Sequence, residues 1–201
     1  MRWGGVVLGL PRAHLLSPAD LPALPRCADC GFSPADDLEW ARAAQDRWAM
    51  VGVEFAGPSG TPAYALVGLP ELLPPHHPLV LPGQPAPDVA ILVAVNTSSR
   101  AAVTGLAGKL VGRVQAIEAA GSRGHSSCQA PSATWLQHVG FHPSPDMEWL
   151  PGGARRMRLD LTATLVWQEP WRWAARRLGG LRARPDPAAP EGAGRVLTTR
   201  R

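Results

Sequence analysis

The sequence predicts a mixed α/β fold: a β-sheet with helices on both sides, then a C-terminal amphipathic helix and a disordered basic tail. Three observations carry this. Val89–Val95 reads VAILVAV, a near-continuous apolar run of the kind found in strands buried on both faces. Helical periods alternate with such runs over the middle of the chain. Residues 114–161 read as a strand, a short helix closed by Gly140, and two more strands separated by a Pro/Gly-rich loop.

Length and composition set the bounds. A chain of 201 residues holds one sizeable core with tails. Its 22 Pro and 21 Gly cluster in turns and near the C-terminus, with no repeat. The net charge is +4, and much of the excess follows Gly153. Those basic runs read as solvated surface, and no nucleic-acid motif accompanies them. No run reaches the ~18 apolar residues of a membrane helix, and the start lacks a signal-peptide pattern. Three cysteines, an odd number, suit a reducing compartment. The expectation is a cytoplasmic protein that binds neither nucleic acid nor membrane.

In chain order, Arg2–Leu10 is expected as a first strand. Ser17-Pro18 should cap a short helix that Pro25 ends. Cys27-Ala28-Asp29-Cys30-Gly31 forms a tight loop. Ser33-Pro34 should open the longest helix, through Met50, with Asp36, Asp37 and Glu39 suiting its dipole. Residues 51–56 and 63–69 flank the turn Gly57-Pro58-Ser59-Gly60 and read as an antiparallel hairpin. A Pro-rich loop with His76-His77 leads to the strand Val89–Val95. Ser98 or Ser99 caps a helix from Arg100 to about Gly112. Val114–Ala120 is a buried strand, Pro131–Val139 a short helix with Gly140 as C-cap, and Phe141-His142 starts a strand. In Arg155–Thr162, Met157, Leu159 and Leu161 point one way and Arg156, Arg158 and Asp160 the other. Pro170–Leu181 reads as an amphipathic helix, giving expected boundaries of 1–168, 169–181 and 182–201. Trp171 on that helix points to a homodimer surface.

This element order resembles the GNAT superfamily of acyl-CoA-dependent N-acetyltransferases, and more narrowly a high-GC bacterial subgroup. The motifs that carry the likeness are Cys27–Cys30, Val114–Ala119, Cys128–Pro131, Val139–Phe141, Arg158–Leu161 and Trp167–Glu169. The resemblance implies a splayed central strand pair with acetyl-CoA in the gap and transfer of its acetyl group to a primary amine of a small molecule or peptide. It places the cofactor against Val95, Thr97, Ser98, Ser99, Arg100 and Ala101, with backbone N–H groups at a helix N-terminus facing the pyrophosphate. It makes Glu118 the first candidate base and Glu54 the second, the other reading of each being a solvated or ion-paired strand residue. The loop Asn96–Ala102 carries no Gly-x-Gly. Leu136 stands where the superfamily often has a Tyr acid, so a GNAT-like binding module without turnover is the alternative.

The spacings Cys27-x-x-Cys30 and His125-x-x-Cys128 are those of zinc knuckles. In the expected fold both loops lie at one edge, so Cys27, Cys30, His125 and Cys128 are candidate ligands of a structural zinc. The other reading is free thiols. His76, His77, His138 and His142 are expected as surface or satisfied histidines. Trp40, Trp48, Trp135 and Trp149 are expected to pack rather than to bind.

Overall fold

Val89–Val95 forms the strand at the centre of the sheet, and every one of its residues is buried. An all-apolar strand of this kind needs cover on both faces, and the chain supplies it. The protein is described here by a computed structural model, which covers residues 13–56, 62–74, 76–80, 88–96, 99–144 and 153–162. The expected strand Arg2–Leu10, Thr97, Ser98, Trp149, and the expected C-terminal helix and tail lie outside these residues.

The described strands are β1 (His14–Leu16), β2 (Gly52–Ala56), β3 (Pro62–Gly68), β4 (Val89–Val95), β5 (Ala116–Ser122), β6 (His142–Pro143) and β7 (Ala154–Asp160). They form one seven-stranded sheet in the order β1-β2-β3-β4-β5-β7-β6. Every pairing is antiparallel except β4 with β5. The helices are α1 (Glu39–Trp48), α2 (Arg100–Leu110) and α3 (Ala133–Val139). None of the described helices is long and apolar enough to cross a membrane.

Strand register assigns the helices to faces, because directly paired residues point the same way. A Cβ on Gly105 of α2 would meet Phe55 and Val53. A Cβ on Gly68 of β3 would meet Trp40 of α1. Val53 pairs with Ala65, which alternates with Gly68, so α1 and α2 cover opposite faces. Gly68 pairs with Ile91 and Ile91 with Glu118, which puts Glu118 on the α1 face. Gly121, on the other face of β5, approaches Ala133 of α3. Thus α2 and α3 share one face.

Two irregularities interrupt β4. Leu66 pairs with Ala94 but Val67 with Leu92, so Val93 is an extra residue in a bulge. The parallel ladder to β5 holds Val89↔Ala116, Ala90↔Ile117 and Ile91↔Glu118, and the two strands part beyond it.

Most expected elements are present, including the hairpin, β4, α2, β5, α3 and β7. Gly140 adopts φ +113° and its N–H bonds the carbonyls of Leu136 and Gln137, as a helix C-cap should. Trp40 and Trp48 are buried in the core. Two expectations fail near the N-terminus. A strand, His14–Leu16, precedes Ser17, and the short helix expected from Ser17-Pro18 does not form. There the Ser17 N–H and hydroxyl both donate to the Asp20 carboxylate at 2.8 and 2.7 Å, closing a turn that leaves only a 3₁₀ segment, Leu21–Ala23. The long helix starts at Glu39 rather than after Ser33. Asp36 N–H bonds Ser33 O at 3.1 Å, and the Asp37 carboxylate accepts the Glu39 N–H at 3.0 Å, so the acidic residues make turns and a start signal instead of a first helical turn.

His77 is buried, and its Nδ1 accepts the Leu79 N–H at 3.2 Å. Burial lowers its pKa to about 4, against a raising effect from the backbone of Leu92 and Val93 beside the bulge. The ring is therefore neutral at pH 7. In the unfolded chain it would titrate near its ordinary value of about 6.5. Protonation favours unfolding, so its stability contribution is intact above about pH 6.5 and is lost as pH falls toward 4.

Three predictions rest on this packing. Between pH 7 and 4, urea unfolding should show the natural protein losing on the order of 3 kcal/mol more than His77→Asn, which keeps the acceptor but not the titration. Parallel pH profiles for the two would contradict the buried neutral ring. In the same assay Gly52→Ala should cost about 2 kcal/mol or more, because its Cβ would lie 2.3 Å from the Ala65 carbonyl oxygen. Gly108→Ala, on the open side of α2 with nothing within 4 Å, should gain about 0.5–1 kcal/mol.

Candidate functional site

Where β4 and β5 part, the backbone of β4 needs other partners. The Val95 N–H finds one in the Cys128 carbonyl at 2.8 Å. The Cys128 loop is itself held by a turn in which Ser127 and Ala130 exchange hydrogen bonds: Ser127 N–H to Ala130 O at 3.0 Å and Ala130 N–H to Ser127 Oγ at 3.1 Å. Next to β4, the Tyr64 side chain of β3 is buried and its hydroxyl donates to the Pro25 carbonyl at 3.3 Å. That contact sets the Cys27–Cys30 turn over the ends of β3 and β4. The turn is closed by Gly31, at φ +72°, whose N–H bonds the Cys27 carbonyl at 3.0 Å. Arg26 spans it by donating to the Gly31 carbonyl at 2.6 Å and to Asp36 at 3.1 Å.

These two loops bring three thiols together. The Sγ atoms of Cys27, Cys30 and Cys128 lie within 4.8 Å of one another, and Cys30 and Cys128 are 3.5 Å apart. All three are free cysteines, graded from exposed Cys30 through half-buried Cys27 to buried Cys128. Burial works against the Cys27 thiolate. The backbone N–H groups of Cys30, Cys128 and Asp29 and the Cys128 thiol outweigh it and bring the pKa down to about 7. Burial pushes the Cys128 thiol up, and the sulfurs of Cys27 and Cys30 push it further. Burial also raises Tyr64, reinforced by the three cysteine sulfurs.

A cavity of about 290 Å³ opens beside the thiols. Its wall includes Cys27, Cys128, Tyr64, Val95, Asn96 and Asp29. The Asn96 side chain accepts the Tyr64 N–H at 2.5 Å and donates to the Pro62 carbonyl, fixing the end of the β2–β3 hairpin to β4.

The sequence-derived residues divide clearly. Cys27, Cys30 and Cys128 are gathered, but His125 is exposed and is not part of the thiol group. Val95 stands at the mouth of the fork. Ser99 caps α2 by accepting the Ala102 N–H at 3.3 Å, and Arg100 and Ala101 are exposed in its first turn. Glu118 does not line the cavity. It is buried at the last rung of the β4–β5 ladder, with Oε1 3.3 Å from Arg158 and Oε2 3.5 Å from Arg156. Glu54 pairs with Tyr64 across the hairpin, and its carboxylate is 3.7 Å from His14. It too lies outside the cavity lining. Leu136 is fully buried in the core.

Sequence reasoning missed Tyr64 and Asn96 as cavity residues. Tyr64 was legible as a hairpin residue, but its face depends on the register of β2 with β3. Asn96 announces itself only as the first polar residue after an apolar strand.

No known family model and no curated protein matches this chain.

The Glu118 environment yields a test. Removing one partner of a buried ion pair typically costs about 3–5 kcal/mol. Glu118→Gln leaves Arg156 and Arg158 facing a neutral amide, and chemical denaturation should register a loss of about 3 kcal/mol. A loss below about 0.5 kcal/mol would mean that the carboxylate is not a structural partner.

Proposed function

We propose that the chain is an acyl-CoA-dependent N-acyltransferase of the GNAT kind, moving an acetyl group from acetyl-CoA to a primary amine. One observation carries the reading: a single parallel strand pair, in an otherwise antiparallel sheet, parts after Ile91↔Glu118 and opens on a cavity at the C-terminal end of β4. Crevices at the carboxyl ends of parallel strands, where the topology changes direction, are preferred ligand sites.

In this reading the cofactor lies along β4 beyond the fork. The first turn of α2, with Ser99, Arg100 and Ala101, turns backbone N–H groups toward the pyrophosphate, and the helix dipole adds to their field. The acceptor amine enters through the cavity beside Tyr64 and Asn96. Its nitrogen attacks the thioester carbonyl, the new C–N bond forms, the C–S bond breaks, and the CoA thiolate takes up a proton. The amine's own proton leaves through cavity water, since neither Glu54 nor Glu118 borders the cavity.

A second reading is a GNAT-like binding module without turnover. The arginine-engaged Glu118 and the core-packed Leu136 favour it, because both positions serve packing instead of proton transfer.

Titration calorimetry with acetyl-CoA tests the pair. The expected result is saturable binding with Kd below about 1 mM. Release of free CoA thiol in the presence of a panel of primary amines then marks the enzyme. Binding without release marks the module. No binding at millimolar acetyl-CoA removes the enzyme.

A further inference from the structure

The thiol cluster carries an inference of its own, independent of acyl transfer. We propose that Cys27, Cys30 and Cys128 form a zinc site with three protein ligands and an exchangeable fourth position.

The spacing of the sulfurs decides among the alternatives. Zinc–thiolate bonds of about 2.3 Å in a tetrahedron place ligand sulfurs about 3.8 Å apart. The Cys30–Cys128 separation is 3.5 Å, and all three sulfurs fall within 4.8 Å of one another. A disulfide would need about 2.05 Å between sulfurs. The set therefore sits near the edge length of a metal tetrahedron and well outside a covalent bond. Three soft thiolates select zinc over magnesium or calcium, which prefer oxygen.

The surroundings fit a metal more than a chance meeting. Cys27 and Cys30 have the two-residue spacing of a chelating turn, closed by the Gly31 N–H on the Cys27 carbonyl at 3.0 Å. The third ligand comes from 98 residues away on a loop fixed by the Val95–Cys128 hydrogen bond. Such a site would join the Cys27 turn to the mouth of the β4–β5 fork.

No fourth Cys, His, Asp or Glu among the described residues joins the group. Zinc held by three protein ligands keeps an open position for water or for a ligand group. Here Cys27 and Cys128 border the cavity, so that position is reached from the cavity or from solvent.

The full chain, purified reduced and supplied with zinc, should carry about one zinc per chain by elemental analysis. Cobalt in its place should show thiolate charge-transfer absorption, with ligand-field bands that change on adding imidazole. Cys27→Ser and Cys30→Ser should each weaken zinc binding at least about tenfold with circular dichroism unchanged, and His125→Ala should leave it as it was. Cys30 is exposed, so its variant keeps the test valid if Cys128→Ser does not fold. Zinc below about a tenth of an equivalent overturns the proposal. So does an unchanged affinity in Cys30→Ser, a weakened one in His125→Ala, or a Cys30–Cys128 disulfide trapped by alkylation in place of metal. Cobalt bands indifferent to imidazole would overturn the open fourth position.

Discussion

The structure depends on where the parallel ladder between β4 and β5 ends. Buried backbone N–H and C=O groups must be satisfied, so two strands that part must each find substitutes. On β4 the substitute at Val95 is the Cys128 carbonyl. This one bond fixes the loop after β5 above the end of β4, and with it the position of the Cys128 sulfur and one wall of the cavity. The bulge at Val93 belongs to the same arrangement, because it lets β4 stay paired with β3 while it turns away from β5.

The fork is also held electrostatically. Glu118 occupies the last paired rung, and a carboxylate buried there without partners would cost several kcal/mol. The register of β5 with β7 sets Arg158 directly opposite Glu118 and Arg156 two residues along on the same face. Arg158 also donates to Asp160 at 2.6 Å, and Asp160 stands 3.4 Å from His142 of β6. The charges thus run from the fork to the sheet edge. A carboxylate in this position braces β5 at the point where the neighbouring strand leaves it.

How much of this was legible follows from the range of each cause. The strand β4 is written in seven consecutive apolar residues, and α3 in a helical period closed by Gly140. The alternation of Met157 and Leu159 against Arg156 and Arg158 fixes the faces of β7. These depend on local chemistry and read directly. The start of α1 did not, because Ser33, Asp36 and Asp37 suit both a helix N-terminus and a turn, and the turn hydrogen bonds won. At the site, the Cys27–Cys30 spacing was legible, and Cys128 could be added only through topology. His125 shared the spacing, but an exposed loop position does not turn it toward the thiols. Tyr64 and Asn96 were invisible as cavity residues because hairpin register, a nonlocal quantity, decides their placement.

The two proposed activities meet at Cys128. Its carbonyl satisfies the fork through Val95, and its sulfur completes the thiol group. A cation bound at the sulfurs would therefore tie down the loop that stands in for the missing strand pairing. It would bring charge to the wall through which an acceptor amine would pass. Three thiolates and one zinc carry a net charge of about −1, which favours an ammonium over a neutral ligand at that wall. An amine must lose its proton before it attacks a thioester, so a metal there would aid binding while opposing deprotonation. With zinc bound, the side of the fork that gathers the cysteines would recognise a cation better than it would activate one.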